Sequence, residues 1–399
     1  STYRIEGSKQ APGIYKDVSG NNATSYGLIA AAEKAGLQLF LGSYPITPAT
    51  DILHELSKHK NLGVTTVQAE DEIAGICTAI GASFAGCLSA TSTSGPGLAL
   101  KSEAIGLAVI AELPLVIIDV QRGGPSTGMP TKSEQTDLMQ ALYGRNGESP
   151  LVVVAATTPT DCFDMAFWAA KLAVEHMTPV ILLTDAFIAN GSAAWRIPDY
   201  MNDYPDIRPN YVTNYHGEAV WKPYRRDKET FVRYWATPGM KGFAHRIGGL
   251  EKDYDTSSIS TDPKNHQKMV QTRQAKIDKI ADFIPEVEVL GDKDDAELLI
   301  VGWGGTFGHL HEVMDIMHRN GHKVALAHFR FINPLPKNTV EVLKRYPKAV
   351  VVEQNNGQFA NYLRSKIDDF TPHRFNRIKG QPFIVSRLVE EFTHIIEEK

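Results

Sequence analysis

Leu115-Val116-Ile117-Ile118-Asp119-Val120, running into Gln121-Arg122-Gly123-Gly124-Pro125-Ser126-Thr127-Gly128-Met129-Pro130-Thr131, decides the fold. An apolar, β-branched run bounded by turn residues reads as a buried parallel strand. The polar, glycine-rich segment then leaves the sheet at the strand's carboxyl end, where open α/β sheets bind ligands. Arg122 becomes a fixed cation at the mouth of a crevice, on a loop whose glycines permit close backbone approach and whose prolines oppose helix. That arrangement suits a small anion.

Outward from this strand, helix and strand signals alternate. Upstream, the patterning predicts helices near 22–34, 49–58, 71–84 and 98–110, with strands over 38–41, 64–68 and 88–92. Downstream follow a helix at 134–143, a strand at 151–155, a helix at 160–176 and a strand at 180–184. A repeating βα pattern means a doubly wound parallel sheet with helices on both faces, assigned to a domain over residues 1–190. Residues 1–18 are polar and aperiodic, read as an arm on a neighbouring surface, the remnant of something longer upstream, or a disordered tail. Residues 191–290 are rich in Pro, Tyr, Trp, Asp and Asn and read as an irregular insertion draped over domain surfaces. It ends in a helix with Met269, Arg273, Ile277, Ile280 and Ile284 on one face. A smaller α/β domain occupies 291–399, with strands predicted over 298–301, 323–328 and 349–353.

The chain has 399 residues, 43% hydrophobic and 22% charged, with 41 Lys+Arg against 46 Asp+Glu; this is a soluble globular balance that suggests neither a polyanion nor a lipid surface as partner. Cys77, Cys87 and Cys162 form an odd set without Cys-x-x-Cys spacing, which argues against a disulfide framework, a zinc site or a Cys-ligated cluster on this chain and suits the reducing cytoplasm. No signal segment or bilayer-spanning run is found in the sequence.

The strand exits read Ser43-Tyr44-Pro45-Ile46-Thr47-Pro48, Ala69-Glu70-Asp71-Glu72, Thr93-Ser94-Gly95-Pro96-Gly97 and the Arg122 loop. In a parallel sheet these share one edge, so hydroxyls, carboxylates, glycines and one arginine converge on a single cleft. Taken alone, three acids ahead of a helix are a capping and dipole feature, and Thr93 to Gly97 fits tight helix–strand packing as readily as an anion site. Arg122 serves an interface salt bridge, and Thr47 a turn, as readily as a ligand.

Tyr44-Pro45-Ile46-Thr47-Pro48, Gln68-Ala69-Glu70-Asp71-Glu72-Ile73-Ala74, Thr93-Ser94-Gly95-Pro96-Gly97 and Gln121-Arg122-Gly123-Gly124-Pro125-Ser126-Thr127-Gly128, in that order, resemble the α subunit of the 2-oxoacid:ferredoxin oxidoreductases. The likeness runs through the whole chain, including Asp262-Pro263-Lys264-Asn265-His266, and the Gly123-Gly124 loop resembles the 2-oxoglutarate type. The resemblance implies a thiamine-enzyme pyrimidine-type domain, the insertion, and a transketolase-C-terminal-like domain. It implies thiamine diphosphate, with Glu70 as the acid that hydrogen-bonds the aminopyrimidine and promotes its imino form. Ser94 and Gly95 are expected among the cofactor-binding residues. Arg122 binds the planar carboxylate of a 2-oxoacid through its guanidinium fork, and Thr47 adds a hydroxyl from a proline-stiffened turn. Asp71 and Glu72 are left to the start of the following helix.

The diphosphate half is expected elsewhere. Thiamine enzymes hold it through a metal at a Gly-Asp-Gly motif, and Gly291-Asp292-Lys293 does not match. A β subunit is therefore expected to bring the diphosphate site, Mg²⁺ and a [4Fe-4S] cluster, with ferredoxin as electron acceptor and coenzyme A as acyl acceptor, in a two-fold heteromer. Some family members carry a γ domain ahead of this one, and the polar start at Ser1 fits a γ portion processed off or separately encoded. The expected reaction is oxidative decarboxylation of 2-oxoglutarate to succinyl-CoA. Rival readings are a non-oxidative, transketolase-like enzyme subunit and a non-catalytic assembly subunit. Gly302-Trp303-Gly304-Gly305-Thr306-Phe307-Gly308 is not a dinucleotide fingerprint, because Phe307 replaces the third glycine. His309, His311 and His318 read as ordinary surface histidines.

Overall fold

A computed structural model describes residues 9–398, so the first eight residues of the polar arm lie outside the described residues. The strands of the first half are β1 (Tyr15–Ser19), β2 (Leu39–Ser43), β3 (Val64–Gln68), β4 (Leu88–Thr93), β5 (Leu115–Gln121), β6 (Val152–Ala155), β7 (Pro179–Asp185) and β8 (Ser192–Arg196). Those of the second half are β9 (Val289–Gly291), β10 (Leu298–Trp303), β11 (Val324–Phe329), β12 (Phe331–Asn333), β13 (Ala349–Glu353) and β14 (His373–Asn376). A seven-stranded sheet runs β12-β6-β7-β5-β4-β2-β3 and a five-stranded one β14-β13-β10-β11-β9. In the larger sheet β2 to β7 are parallel and β12 is antiparallel to β6.

Strand β5 shows why this sheet is covered on both sides. Val116, Ile118 and Val120 pack toward helices Gly20–Ala35, Thr50–Leu56 and Asp161–His176, while Leu115 and Ile117 pack toward Glu72–Phe84 and Ser102–Ala111. The crossover from β2 to β3 uses the first face, and those from β3 to β4 and β4 to β5 use the second, as right-handed connections require when the direction of travel reverses. That reversal lies between β2 and β4 and opens a crevice at their carboxyl ends. Gly27 permits the tight contact between two first-face helices, since a Cβ there would lie 2.3 Å from the Phe163 carbonyl oxygen.

Several elements differ from the sequence expectation. The arm's residues 15–18 belong to β1, which pairs antiparallel with β8. The helix expected over 98–110 breaks at Lys101 into Gly95–Leu100 and Ser102–Ala111. The helix expected from 134 begins only at Leu138. Strand β12 leaves the C-terminal domain to extend the first sheet, so the two domains share an edge. His309 is half-buried between Phe187 and Phe383, not a surface residue.

The insertion packs at the opposite, amino edge of the sheet. Its helix Pro263–Lys279 starts where Asp262 caps the Lys264 and Asn265 N–H groups and Pro263 presets the first turn. Asn265 Nδ2 donates to the Lys252 carbonyl at 2.7 Å and His266 meets Glu251 at 2.9 Å, so the Asp262 to His266 motif is a structural anchor. Met269, Arg273 and Ile277 form the buried face. The insertion is locked by Glu112, a buried carboxylate that takes Arg226 and, at 3.0 Å, Lys276. Burial opposes ionisation there, but the two cations overcome it and hold the Glu112 carboxyl far below the ordinary range. Glu112→Ala leaves those cations buried and uncompensated. It is expected to cost about 3–5 kcal/mol in urea denaturation, and a loss under about 1 kcal/mol contradicts the lock.

Candidate active site

Strands β3, β2, β4 and β5 are consecutive neighbours in the sheet, so all four polar exits open side by side. Ser43 Oγ at the end of β2 donates to the Ser92 carbonyl of β4 at 2.7 Å, and the Ser43 carbonyl accepts from Ala69 N at 2.9 Å. The exit carrying Glu70 is thereby pinned to the exit leading to Thr47.

The three adjacent acids separate by environment. Asp71 caps helix Glu72–Phe84, accepting from Ala74 N at 2.7 Å. Glu72 lies half-buried over helix Gly95–Leu100, its Cγ 3.0 Å from where a Cβ on Gly97 would stand. Glu70 is exposed, with no side-chain hydrogen bond among the described residues.

Arg122 and Thr47 are brought together. Arg122 Nη1 donates to the Thr47 carbonyl at 2.6 Å, bridging the β5 and β2 exits across β4. Arg122 is only 7% exposed, and its Nε has no partner among the described residues. With Nη1 on the backbone, the buried Nε is the guanidinium's uncommitted donor. Thr47 itself is exposed. The loop beyond Arg122 folds back on itself: Met129 N donates to the Gly123 carbonyl at 2.8 Å, and a Cβ on Gly128 would lie 2.0 Å from that same oxygen.

Ser94 and Gly95 lie beneath this surface. Ser94 is fully buried, its hydroxyl without a partner among the described residues, and a Cβ on Gly95 would stand 2.6 Å from both Asp137 carboxylate oxygens. The structure places them under the cleft and does not bring them to the open wall with Glu70.

A group not singled out from the sequence stands behind them. Asp119, on β5, is fully buried beside Asp137, and neither of its oxygens meets a hydrogen-bond donor among the described residues. Burial and the neighbouring Asp137 push the Asp119 carboxyl well above its ordinary range. Burial also raises Asp137, to about 6, with Glu134 adding to the rise and Arg122 opposing it. Two carboxyls in one dry site share a proton. The signal was present in the opening stretch: an acid inside an otherwise apolar strand is obliged to be buried.

Residues 30–263 match the family described as pyruvate flavodoxin/ferredoxin oxidoreductase, thiamine diphosphate-binding, and residues 296–385 match pyruvate:ferredoxin oxidoreductase core domain II. The chain belongs to this oxidoreductase family. It is 54% identical over 390 residues to the 2-oxoglutarate oxidoreductase subunit KorA of Mycobacterium tuberculosis, covering 97% of this chain and 58% of that relative. It is 33% identical over 344 residues to the 2-oxoglutarate synthase subunit KorA of Methanothermobacter marburgensis, covering 86% of this chain and 88% of the relative. The solved structure of 2-oxoglutarate:ferredoxin oxidoreductase from Magnetococcus marinus, with 2-oxoglutarate, coenzyme A and succinyl-CoA bound, superposes with a TM-score of 0.91 at 34% identity, covering 98% of this chain and 67% of that one. The chain thus spans little more than half the length of the M. tuberculosis relative.

As the oxidoreductase family's thiamine diphosphate-binding domain, the chain offers a free carboxyl and a half-satisfied guanidinium on one sheet edge. Among the described residues no three His, Cys, Asp or Glu are grouped to hold a metal ion. The Glu70 carboxyl is a group of the kind that hydrogen-bonds an aminopyrimidine nitrogen of that cofactor. The buried acid pair has its own pH signature. Because Asp137 rises from its ordinary 3.8 to about 6, the folded state holds a proton that the unfolded chain has lost, and stability falls as pH climbs through that window. Asp137→Asn is expected to flatten that fall and raise the melting temperature at neutral pH; an unchanged pH–melting profile refutes the shared proton.

Proposed function

We propose that this chain is the α subunit of a thiamine diphosphate-dependent 2-oxoacid:ferredoxin oxidoreductase that converts 2-oxoglutarate, coenzyme A and oxidised ferredoxin to succinyl-CoA, carbon dioxide and reduced ferredoxin. The observation that carries this reading is the Arg122 to Thr47 bridge on the same sheet edge as the exposed Glu70 carboxyl, on a chain whose relatives are named for 2-oxoglutarate. Thiamine diphosphate, when bound, supplies the nucleophilic carbon that adds to the ketone of the oxoacid. Glu70 holds and returns a proton at the pyrimidine nitrogen, Arg122 binds the carboxylate through its free edge, and the Thr47 hydroxyl donates to the same substrate. Ser94 and Gly95 support the cofactor from beneath.

The rest of the site is assigned to a β subunit bearing the diphosphate pocket, Mg²⁺ and a [4Fe-4S] cluster, with a γ portion and ferredoxin completing a two-fold, cytoplasmic assembly. Supporting this is helix Glu72–Phe84, which carries no charge after Glu72 yet leaves Ile73, Cys77, Thr78 and Gly81 exposed. An uncharged helix face bordering an incomplete site is the expected composition of a buried subunit contact. No helix among the described residues is long and apolar enough to cross a membrane. We further propose the division into a pyrimidine-type domain to residue 190, an insertion to 290 and a C-terminal domain beyond.

The test is viologen reduction by the chain co-purified with its β subunit. Reduction that depends on 2-oxoglutarate and coenzyme A is expected, and a complex that turns over oxoacid without reducing the dye favours non-oxidative chemistry. Glu70→Gln is expected to lower kcat at least about a hundredfold. Arg122→Lys, which loses the bidentate edge, is expected to raise the oxoacid KM about 10- to 100-fold. Full activity of both variants eliminates the catalytic reading in favour of an assembly role.

A further inference from the structure

Lys101 occupies the break between helices Gly95–Leu100 and Ser102–Ala111 and is fully buried. An ammonium inside a protein is costly unless paired, and an apolar side chain fills such a junction without that cost. Lys101 nevertheless forms no ion pair within salt-bridge distance among the described residues. Its Nζ donates at 2.6 Å to the backbone carbonyl of Glu72, the first residue of the helix that begins two positions after Glu70. Its own N–H donates to the Gly97 carbonyl at 3.0 Å, and Gly97 is where the Glu72 side chain lies. One residue therefore ties the turn that presents Glu70 to the helix that opens on Ser94 and Gly95.

We propose that Lys101 is a positioning residue for Glu70: its buried ammonium bolts the first turn of helix Glu72–Phe84 to the segment beneath the cofactor cleft, fixing the carboxyl that meets the aminopyrimidine. The inference rests on the role given to Glu70 above and deepens it. Glu70 has no side-chain hydrogen bond of its own among the described residues, so its place is set by its neighbours. Asp71 is held by its cap, Ala69 by Ser43, and Glu72 by Lys101. The charge also matters. Among the described residues, Glu72, Asp71 and the Cys77 thiol are the titratable groups that act on Lys101, and no second cation is among them. Burial draws the ammonium down from 10.5 to about 8, against the opposing pull of Glu72 and Asp71. Below that pH the bolt is charged and holds; above it the bolt loses its charge, and the acidic turn loses its compensating cation.

The experiment uses the assembled complex with and without Lys101→Met, which preserves length while removing the charge and the donor. Thiamine diphosphate affinity is measured by calorimetry without oxoacid, and KM and kcat by dye reduction. We expect Lys101→Met to bind the cofactor about tenfold more weakly, the scale on which supporting residues act, with the oxoacid KM within about twofold of wild type. Wild-type affinity is expected to weaken as pH rises past about 8, with the variant flat over the same range. Equal affinities, or an alkaline decline that persists in Lys101→Met, overturn the assignment while leaving the role of Glu70 intact. Should the variant fail to assemble, a wild-type affinity that stays constant across that pH range overturns it equally. A wild-type complex that binds no thiamine diphosphate overturns the functional reading, and this inference with it.

Discussion

One guanidinium joins two strand exits that are not neighbours. The Arg122 to Thr47 bond passes over the end of β4, and the loops on either side of it are shaped accordingly. A charge-assisted bond to a carbonyl in a nearly dry setting is stronger than a neutral one, and it spends only part of the guanidinium's donor capacity. What remains is an oriented, desolvated cation edge. A flexible lysine at this place has neither the planar fork nor the reach to satisfy the backbone and a ligand together. Asp137 contributes the balancing negative charge from below, held back from full ionisation by burial and by the nearby Glu134. The cleft is thus an arginine clamped from above by backbone and compensated from beneath by a carboxyl pair that carries less than two charges.

The second domain holds this arrangement rigid. Gln135, just past the arginine loop, donates through Nε2 to the Trp303 carbonyl at 2.7 Å and accepts from Gln354 N at 3.1 Å, while its own carbonyl takes Asn355 Nδ2 at 2.7 Å. Gln358 meets the Met139 N–H and the Thr136 carbonyl. These bonds consume the backbone groups that a helix from residue 134 requires, which is why that helix starts late. They also account for the glycines after β10. A Cβ at Gly304 would stand 2.6 Å from Gln135 Nε2, and one at Gly305 would stand 2.1 Å from Asp185 Oδ2. The run that imitates a dinucleotide loop is the seam along which two domains approach closely.

Periodicity carried most of the fold, because buried parallel strands such as β5 and β7 are continuous apolar runs and their crossovers are obliged to be right-handed. The same logic located Thr47, Glu70, Arg122 and the Ser94 turn on one edge without any knowledge of strand order. It missed short pairings whose partners are distant in sequence. Strand β12 is three residues long and owes its existence to β6, some 180 positions earlier, and β1 is specified by β8 rather than by its own polar sequence. Local patterning holds no record of such pairings. The depth of Ser94 and Gly95 was equally hidden, since it depends on Asp137, a residue forty positions away with no local signature.

The acids of this edge are sorted by solvent. Asp119, Asp137 and Glu134 are taken out of water and their carboxyls rise as a consequence, whereas Glu70 stands exposed beside an uncharged helix face. A carboxyl asked to hold and return a proton near neutrality needs a dry surrounding, because desolvation is what favours its protonated form. This chain places Glu70 without drying it. In the proposed complex, the drying comes from whatever surface covers Ile73, Cys77 and Gly81, so assembly and acid–base competence become one event. In that complex Glu70 leaves water only when the covering surface arrives. On that reading, Glu70 is uncovered in this chain because its cover belongs to the partner surface.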